Sequence, residues 1–267
     1  MLNCKQEVET RVEWIKNLLK TTGAKGIVYG NSGGKDCTLV GILSKMATDN
    51  VTGIIMPCES SRNFGIDREH AILVGEKYDI PQIEIDLTPV KQAFRNVLSD
   101  SIGDCAMAYA NINPRLRMTT LYAYAYKNNL LVAGTGNRSE AMMGYFTKWG
   151  DGAYDFNVIS DLTVREIYEI LRYLGAPNEI IEKAPSAGLY EGQTDEQEMG
   201  IKYSEIDDYL LLGKGDEKTI EIIKKRIKNT AQHYVFAYFV GSGFHHHDCV
   251  ARTGDREGQA PVFALLA

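Results

Sequence analysis

Hydrophobic positions form two patterns along the chain, a helical repeat and short continuous runs. Val8, Val12, Ile15 and Leu19 follow one another at steps of four, three and four, which is the spacing of one face of an amphipathic helix. Gly23 is a suitable end for that helix. Four short apolar runs follow, each with the length of a buried strand, at residues 27–29, 54–56, 83–85 and 130–133.

Segments with a helical period lie between and after these runs. Leu39, Leu43 and Met46 line one face of a helix that begins near Lys35. The segment 163–166 has capping-box spacing and opens a helix that ends near residues 175–177. Further helices are predicted around 204–207 and 220–227. Strands that alternate with helices predict a single α/β domain, with a parallel sheet covered by helices on both faces.

The pattern is lost near His233. Residues 233–267 follow neither a helical nor a strand period. We therefore expect a domain over residues 1–232, followed by an atypical tail that is disordered or artefactual. The three consecutive histidines at 245–247 leave open a metal site, but terminal segments without a buried face usually stay loose.

Composition narrows the class of protein. The 267 residues are 44% hydrophobic and 24% charged, as in an ordinary globular protein. A net charge of −6 and a pI near 5.5 argue against a broad nucleic-acid surface. The charged N-terminus does not read as a signal peptide, and no apolar run is long enough for a membrane span, so we expect a cytoplasmic protein. Five cysteines without a C-x-x-C pair argue against a disulfide framework or a zinc knuckle.

The loop GNSGGKDC at residues 30–37 is the main candidate for chemistry. Its glycines allow backbone N–H groups to converge on an anion where a helix begins, and Lys35 adds a positive charge. A P-loop would have a hydroxyl residue after the lysine, but Asp36 stands there. A carboxylate there suits Mg²⁺ that bridges phosphate oxygens. From these residues alone, a glycine-rich turn with a surface lysine and a capping aspartate remains an equal alternative.

Four ordered segments resemble one enzyme family. SGGKD followed by Cys37 is similar to the PP-loop of the ATP pyrophosphatases, in which serine is usual at the last position. NINPRLRM (111–118), LLVAGTGNRSEAMMGYFTKWGDGAYD (130–155) and EGQTDEQEMGIKYSEIDDYL (191–210) resemble the corresponding blocks of ammonia-dependent NAD synthetases. A thiol is a weak hydrogen-bond donor, so we expect Cys37 to weaken one contact to the departing pyrophosphate.

The resemblance implies a fold and a reaction. It implies an adenine nucleotide alpha hydrolase-like, Rossmann-like sheet and a homodimer with its substrate site at the subunit interface. It also implies conversion of nicotinic acid adenine dinucleotide (deamido-NAD), ATP and ammonia to NAD, AMP and pyrophosphate. A carboxylate is a poor electrophile, and adenylation would turn one of its oxygens into a good leaving group. The protein would mainly align the reactants.

The resemblance also implies roles for particular residues. Asp36 and Glu140 would hold Mg²⁺, and Asp151 would take a proton from ammonium. Without the family resemblance, Glu140 would be interpreted as an acidic residue at the start of a helix, and Asp151 as a residue of a turn. The ATP-binding residues would be Gly30, Asn31, Ser32, Gly33, Gly34, Lys35, Asp36, Cys37, Thr135 and Ser186. The deamido-NAD-binding residues would be Arg115, Lys148, Asp155 and His233.

Two departures from the family pattern leave alternatives open. Many members have a phosphate-binding lysine where this chain has Val164, and Arg165 points about 100° away on an ideal helix. The C-terminal segment begins like the family and then diverges after residues 232–234. One alternative is another PP-loop adenylating enzyme, such as a tRNA-thiolating one, which would favour a C-x-x-C pair or a basic surface. A second is a nucleotide-binding sensor or assembly partner with weakened catalysis.

Overall fold

The computed structural model describes residues 2–183, 185 and 194–234, with side chains through 229. The strands are β1 (Gly26–Gly30), β2 (Val51–Ile55), β3 (Gln82–Glu84) and β4 (Leu130–Ala133). The helices are α1 (Cys4–Thr22), α2 (Lys35–Ala47), α3 (Ser61–Phe64), α4 (Ile66–Lys77), α5 (Thr88–Ile102), α6 (Ala106–Ala110), α7 (Ile112–Asn128), α8 (Arg138–Met143), α9 (Val164–Tyr173), α10 (Asn178–Ile181), α11 (Asp195–Met199), α12 (Tyr203–Leu212) and α13 (Glu217–Tyr234).

The four strands form a parallel sheet in the order β3-β2-β1-β4. The connection from β1 leads to β2 on one side, whereas β4 pairs on the other side. The strand order therefore reverses between β1 and β4, and ligands of open α/β sheets bind at such a switch point, beyond the carboxyl ends of the strands. The predicted single α/β domain with a parallel sheet is confirmed.

Alternate residues of β1 pack on opposite faces of the sheet. Ile27 and Tyr29 are fully buried in a core cluster with α1, α2 and α9. Val28 belongs to a second cluster on the other face, which includes Ile54 and α7 residues such as Ala125. This alternation follows from the period of two in a strand. A third cluster packs α8, α9, α11, α12 and α13 against one another.

The predicted end of the first helix and the predicted start of α9 are found at the expected residues. The α1 helix ends at Gly23, whose φ of 71° is the left-handed conformation that glycine adopts at little cost. The capping box of Thr163 and Glu166 opens α9, since each side chain accepts from the backbone N–H of the other. Within the described residues, no helix is both long and apolar enough to cross a membrane.

The boundaries of the first three strands differ from the prediction by one to three residues, whereas those of β4 match it. The second strand runs over Val51–Ile55 rather than 54–56, and the third over Gln82–Glu84 rather than 83–85. Met46 does not share a buried face with Leu39 and Leu43, because it is 47% exposed at the end of α2. The helix α13 continues to Tyr234, and residues 235–267 of the predicted tail lie outside the described part. The domain boundary at 232 stays a prediction.

Candidate active site

A cavity of about 450 Å³ opens at the carboxyl ends of β1, β2 and β4. The loop after β1 forms one end, which we call the loop end and define by Ser32, Gly34, Lys35, Asp36 and Glu140. Asn63, Arg117 and Asp151 line another part, which we call the arginine end. The site therefore lies at the edge of the sheet that the strand order predicts.

The loop after β1 is held by a buried asparagine. Asn31 is 2% exposed, and its amide nitrogen donates to the carbonyl of Ala71 and to Gln82 Oε1 at 3.1 and 3.0 Å. Its amide oxygen accepts from the backbone N–H of Gly33. Asn31 thus fastens the loop to α4 and β3 through its side chain.

Gly33 is required for two independent reasons. Its φ of 62° lies in the left-handed region, and a Cβ there would overlap the carbonyl oxygen of Asp67 on α4. Only glycine has the required backbone freedom without a side chain that collides. The close approach of the loop to α4 therefore depends on this glycine.

Cys37 fills the inside of the turn. It is 3% exposed, and its sulfur lies 3.2 Å from the backbone nitrogen of Gly34 and 3.4 Å from the hydroxyl oxygen of Ser32. Thr38 donates to the carbonyl of Gly34 at 2.7 Å. The thiol supports the loop conformation, while the exposed Ser32 stands at the cavity.

Lys35 lies between two carboxylates at the loop end. Its Nζ is 2.7 Å from Asp36 Oδ2 and 3.8 Å from Glu140 Oε1, and all three side chains are largely buried. Burial opposes the charged form of Lys35, but the carboxylates of Asp36 and Glu140 outweigh it and raise the lysine pKa. Burial and the neighbouring Asp36 raise the pKa of Glu140, although Lys35 opposes this. The loop end therefore favours a cation near both acids.

Asn137 connects the two acids. It is fully buried, and its amide nitrogen donates to Asp36 Oδ1 at 3.1 Å. Its amide oxygen caps α8 by accepting from the backbone N–H of Glu140 at 2.9 Å, and Glu140 Oε2 accepts in return from the N–H of Asn137. One residue thus fixes the loop after β1 relative to the helix after β4.

The arginine end contains Asp151 in a tight turn. Its Oδ1 accepts from the backbone N–H of Thr147 at 2.9 Å. Much of Asp151 remains accessible from the cavity, but the surrounding protein displaces enough water to raise its pKa. The hydrogen bond from Thr147 and the positive charge of Arg117 oppose the rise. A carboxylate with a raised pKa is a suitable proton acceptor in a cleft.

A polar network joins the arginine end to the loop. Arg117 donates from Nε to the carbonyl of Met56 at 3.2 Å and from Nη2 to Asn63 Oδ1 at 3.0 Å. Asn63 donates to Asp67 Oδ2 at 2.9 Å. Asp67 Oδ1 lies 2.7 Å from Lys183 Nζ, which also donates to the carbonyl of Gly33 at 3.1 Å. The network therefore runs from α7 to the turn after β1.

The structure brings most of the predicted site residues into one cavity. Its lining includes Gly30, Asn31, Ser32, Gly34, Lys35, Asp36, Cys37, Thr135, Glu140 and Asp151. Gly33 instead packs beneath the loop, on α4. Ser186 lies outside the described residues, as does the side chain of His233.

Three residues predicted to bind the dinucleotide, Arg115, Lys148 and Asp155, lie beside the cavity rather than in its lining. Arg115 is exposed and donates to the carbonyl of Lys148, so these two are neighbours. The Oδ2 of Asp155 accepts from the backbone N–H of Val132, and its Oδ1 from the hydroxyl of Tyr122. Asp155 thus also has a structural role at the end of β4.

The structure accounts for the two residues at the start of α9. Val164 is 4% exposed and packs in the third core cluster, so it belongs to the protein interior. The guanidinium of Arg165 lies 2.7 Å from Asp208 Oδ1 and does not line the cavity. Arg165 therefore does not replace a phosphate-binding lysine at position 164.

Asp36 and Glu140 suit a magnesium ion whose remaining ligands are phosphate oxygens and waters. Among the described residues, no group of three or more acids, histidines or cysteines has a geometry that would hold a metal alone. Mg²⁺ at phosphoryl-transfer sites commonly uses one or two carboxylates, with phosphate oxygens and waters as the other ligands. Asp36 and Glu140, both near the ammonium of Lys35, form a donor set of this kind.

Sequence reasoning missed Asn137, Arg117 and Lys183. The N-x-x-E spacing of Asn137 and Glu140 is a capping-box pattern, so it contains a usable signal. Arg117 lies in the same segment as Arg115, but the two point to different sides of α7. Lys183 contacts the loop after β1 from a distant position in the chain, and no local sequence pattern predicts that contact.

The comparisons with known proteins agree with this geometry. The NAD synthase family model matches residues 7–247. The NH(3)-dependent NAD(+) synthetase of Carboxydothermus hydrogenoformans is 44% identical over 235 residues, 87% of this chain and 95% of that protein. The corresponding protein of Archaeoglobus fulgidus is 40% identical over 230 residues, 85% of this chain and 92% of that one.

Two solved structures are also similar over most of the chain. The NMN synthetase from Francisella tularensis superimposes with a TM-score of 0.84 at 34% identity, covering 90% of this chain and 100% of that one. The NH3-dependent NAD synthetase from Campylobacter jejuni superimposes with a TM-score of 0.74 at 29% identity, with the same coverage. The chain therefore belongs to the NAD synthase family.

Proposed function

We propose that this protein is a ligase that converts deamido-NAD, ATP and ammonia to NAD, AMP and pyrophosphate. The observation that carries the proposal is the loop end, where Lys35, Asp36 and Glu140 converge beside a glycine turn at a helix N-terminus. That arrangement suits a polyphosphate, and the chain is similar over most of its length to NH(3)-dependent NAD(+) synthetases.

In the first step, a carboxylate oxygen of the acid attacks the α-phosphorus of ATP. The bond from that phosphorus to the bridging oxygen breaks, and pyrophosphate leaves with the electron pair. The turn after β1 would bind the β- and γ-phosphates through its backbone, and Lys35 would bind phosphate oxygens as a point charge. Thr135, in the loop after β4, would orient ATP from the opposite wall.

Asp36 and Glu140 would hold Mg²⁺ against the phosphates. The ion would supply charge neutralisation for two anionic reactants and for the departing pyrophosphate. Asn137 keeps the two acids together through its bonds to Asp36 and to the start of α8.

In the second step, ammonia attacks the carbonyl carbon of the acyl-adenylate, and AMP leaves. Ammonium loses two protons in the overall reaction, one before attack and one as the adduct collapses. We assign the first to Asp151, because it faces the cavity and carries a raised pKa. Such a carboxylate accepts a proton more readily than an ordinary aspartate.

The rest of the dinucleotide would extend beyond the cavity, over Arg115 and Lys148. A guanidinium can bind a phosphate through two hydrogen bonds, and Arg115 is exposed beside the cavity. Asp155, and the side chains of Ser186 and His233, keep the roles that the family resemblance implies. The reaction would take place in the cytoplasm, where ATP is made.

We further propose that the protein is a homodimer with the substrate site at its interface. The helix α5 carries Val90, Phe94 and Val97 at helical spacing, and they are 43%, 46% and 79% exposed. An exposed apolar stripe is typical of an interaction surface. Sedimentation at micromolar concentration should give a dimer, and Val97→Glu should shift it to monomer. A wild-type monomer would contradict this assignment.

A second candidate is amide formation on the mononucleotide. The structure of the Francisella tularensis NMN synthetase superimposes with the higher of the two TM-scores, 0.84 against 0.74. The reacting acid would be the same nicotinate group, so the chemistry at the cavity would not change. The mononucleotide would require less surface outside the cavity than the dinucleotide.

Product analysis tests both candidates. Purified protein is incubated with ATP, Mg²⁺, ammonium and either deamido-NAD or nicotinic acid mononucleotide, and nucleotides are separated by chromatography. We expect NAD and AMP in equal amounts, with a higher kcat/KM for the dinucleotide. A preference for the mononucleotide would establish the second candidate. ADP in place of AMP would contradict both, and calorimetric binding without turnover would identify a sensor.

A further inference from the structure

Arg117 differs from the other cations that line the cavity. Lys35 is paired with Asp36, Arg68 with Glu84, and Lys183 with Asp67. Among the described residues, no carboxylate lies within ion-pair distance of Arg117. Its hydrogen-bond partners are a backbone carbonyl and an amide oxygen, both of them uncharged.

The position of Arg117 is fixed although its charge is not neutralised. The hydrogen bonds from Nε to Met56 and from Nη2 to Asn63 use two of the five guanidinium N–H groups. Toward the described residues, two N–H groups on Nη1 and one on Nη2 remain unbonded. These are the groups that can bind an oxyanion through two parallel bonds. Asn63 is itself fixed by its donation to Asp67.

The surroundings make an unneutralised arginine costly without a ligand. Desolvation opposes the charged form of Arg117 and lowers its pKa, and the more distant carboxylates of Asp151 and Asp67 only partly offset this. A half-buried guanidinium with neutral partners is therefore poised to bind an anion from the cavity. The positive charge of Arg117 also lowers the pKa of Asp151, which lies on the same side of the cavity.

We propose that Arg117 binds the carboxylate of the reacting acid, through the oxygen that remains on the carbon after adenylation. This inference rests on the proposed function. The acid must reach both the α-phosphate, beside the loop end, and the ammonia that Asp151 deprotonates. Arg117 is the cation at the arginine end, which is the part of the cavity shared with Asp151.

The same oxygen gives Arg117 a part in both steps. In the first step the other carboxylate oxygen attacks phosphorus, and Arg117 holds the carboxylate in place. In the second step the nitrogen lone pair forms a bond to carbon, and the π electrons of the carbonyl move onto the oxygen beside Arg117. Collapse restores the carbonyl and breaks the bond from carbon to the AMP oxygen. Arg117 stabilises the negative oxygen without giving up a proton.

The test compares Arg117→Gln and Arg117→Lys with Arg172→Gln, an exposed arginine on α9 outside the cavity. We expect Arg117→Gln to reduce kcat/KM for deamido-NAD by roughly 10²–10³-fold, as the loss of an oxyanion donor typically does. Arg117→Lys should recover part of that loss, because it keeps the charge but not the planar fork. Arg172→Gln should match wild type.

Calorimetry separates carboxylate recognition from a structural effect and does not require turnover. The wild-type protein should bind deamido-NAD more tightly than NAD, its amide counterpart. Arg117→Gln should abolish this preference while ATP affinity and melting temperature stay unchanged. A preference equal to wild type in the folded variant would overturn the proposal. Weaker ATP binding with unchanged acid binding would also overturn it, since it would place Arg117 on ATP.

The two assays separate failure of this inference from failure of the proposed function. If wild type forms no amide yet the acid preference depends on Arg117, the function is wrong and Arg117 is still a carboxylate-binding residue. If wild type forms NAD and Arg117→Gln has wild-type kinetics and binding, the function holds and the inference is wrong.

Discussion

The two ends of the cavity manage charge in opposite ways. At the loop end, Lys35 is held between Asp36 and Glu140, so its charge is paired within the protein. At the arginine end, Arg117 is held by uncharged oxygens, so its charge is available to a ligand. The first arrangement suits a magnesium-bound polyphosphate, and the second suits a bare carboxylate. A reaction between two anions can therefore be divided between differently charged parts of one cavity.

The largest expected effect comes from removing an acid at the loop end. Asp36→Asn and Glu140→Gln should each lower turnover by roughly 10³-fold, since a carboxylate-held metal contributes several kcal/mol to charge stabilisation. Turnover is measured against Mg²⁺ concentration, with Asp49→Asn as a control because that side chain is fully exposed. Wild-type turnover and Mg²⁺ dependence in either variant would remove the metal assignment.

The next effect tests the proton acceptor at the arginine end. Only the ionised form of Asp151 accepts a proton, and desolvation raises its pKa. The rate should therefore fall as pH decreases through a value above the ordinary aspartate range. Asp151→Asn should lower kcat by about 10²-fold and remove this limb of the profile. The profile is recorded at constant ammonium, because ammonium is the species that Asp151 deprotonates, and an unchanged limb in the variant would exclude Asp151 as the base.

An intermediate effect is expected at Asn137, which belongs to the support of the loop end. Asn137→Ala removes both the cap of α8 and the bond to Asp36. It should lower turnover by about 10–100-fold and stability by about 1 kcal/mol. Asn137→Ser keeps a capping oxygen and should recover stability, but not turnover, as followed by thermal melting and product assay. Equal recovery of both would mean that the bond to Asp36 is unimportant.

The smallest effect is expected at Cys37, inside the turn. A serine hydroxyl is a stronger donor than a thiol, and a neutral hydrogen bond contributes about 1 kcal/mol. Cys37→Ser should therefore change the KM for ATP by less than about tenfold, in the direction of tighter binding. Complete loss of turnover would instead indicate that the thiol itself reacts.

The sequence predicted local features well because short-range chemistry determines them. The strand at β4, the end of α1 at Gly23 and the capping box at Thr163 each depend on neighbouring residues. Strand boundaries shifted because sheet pairing, and not the apolar run alone, decides where β2 and β3 begin. Met46 is exposed because α2 ends beside it, which periodicity does not register.

The site was predictable where one segment contains it and unpredictable where distant segments meet. The turn after β1 could be recognised as a phosphate-binding loop from its own residues. The placement of Arg117 rather than Arg115 in the cavity depends on how α7 packs against β1 and β4, which the sequence of that helix alone does not determine. The contact of Lys183 with Gly33 likewise depends on a chain crossing 150 residues apart.

The most direct test of the account follows an oxygen atom. Deamido-NAD labelled with ¹⁸O in its nicotinate carboxylate is converted with ATP and ammonium, and the products are examined by mass spectrometry. Attack of the carboxylate on the α-phosphate predicts one ¹⁸O in AMP and one in the amide of NAD. AMP without the label, or label recovered in inorganic phosphate, would contradict an adenylated acid and the division of the cavity built on it.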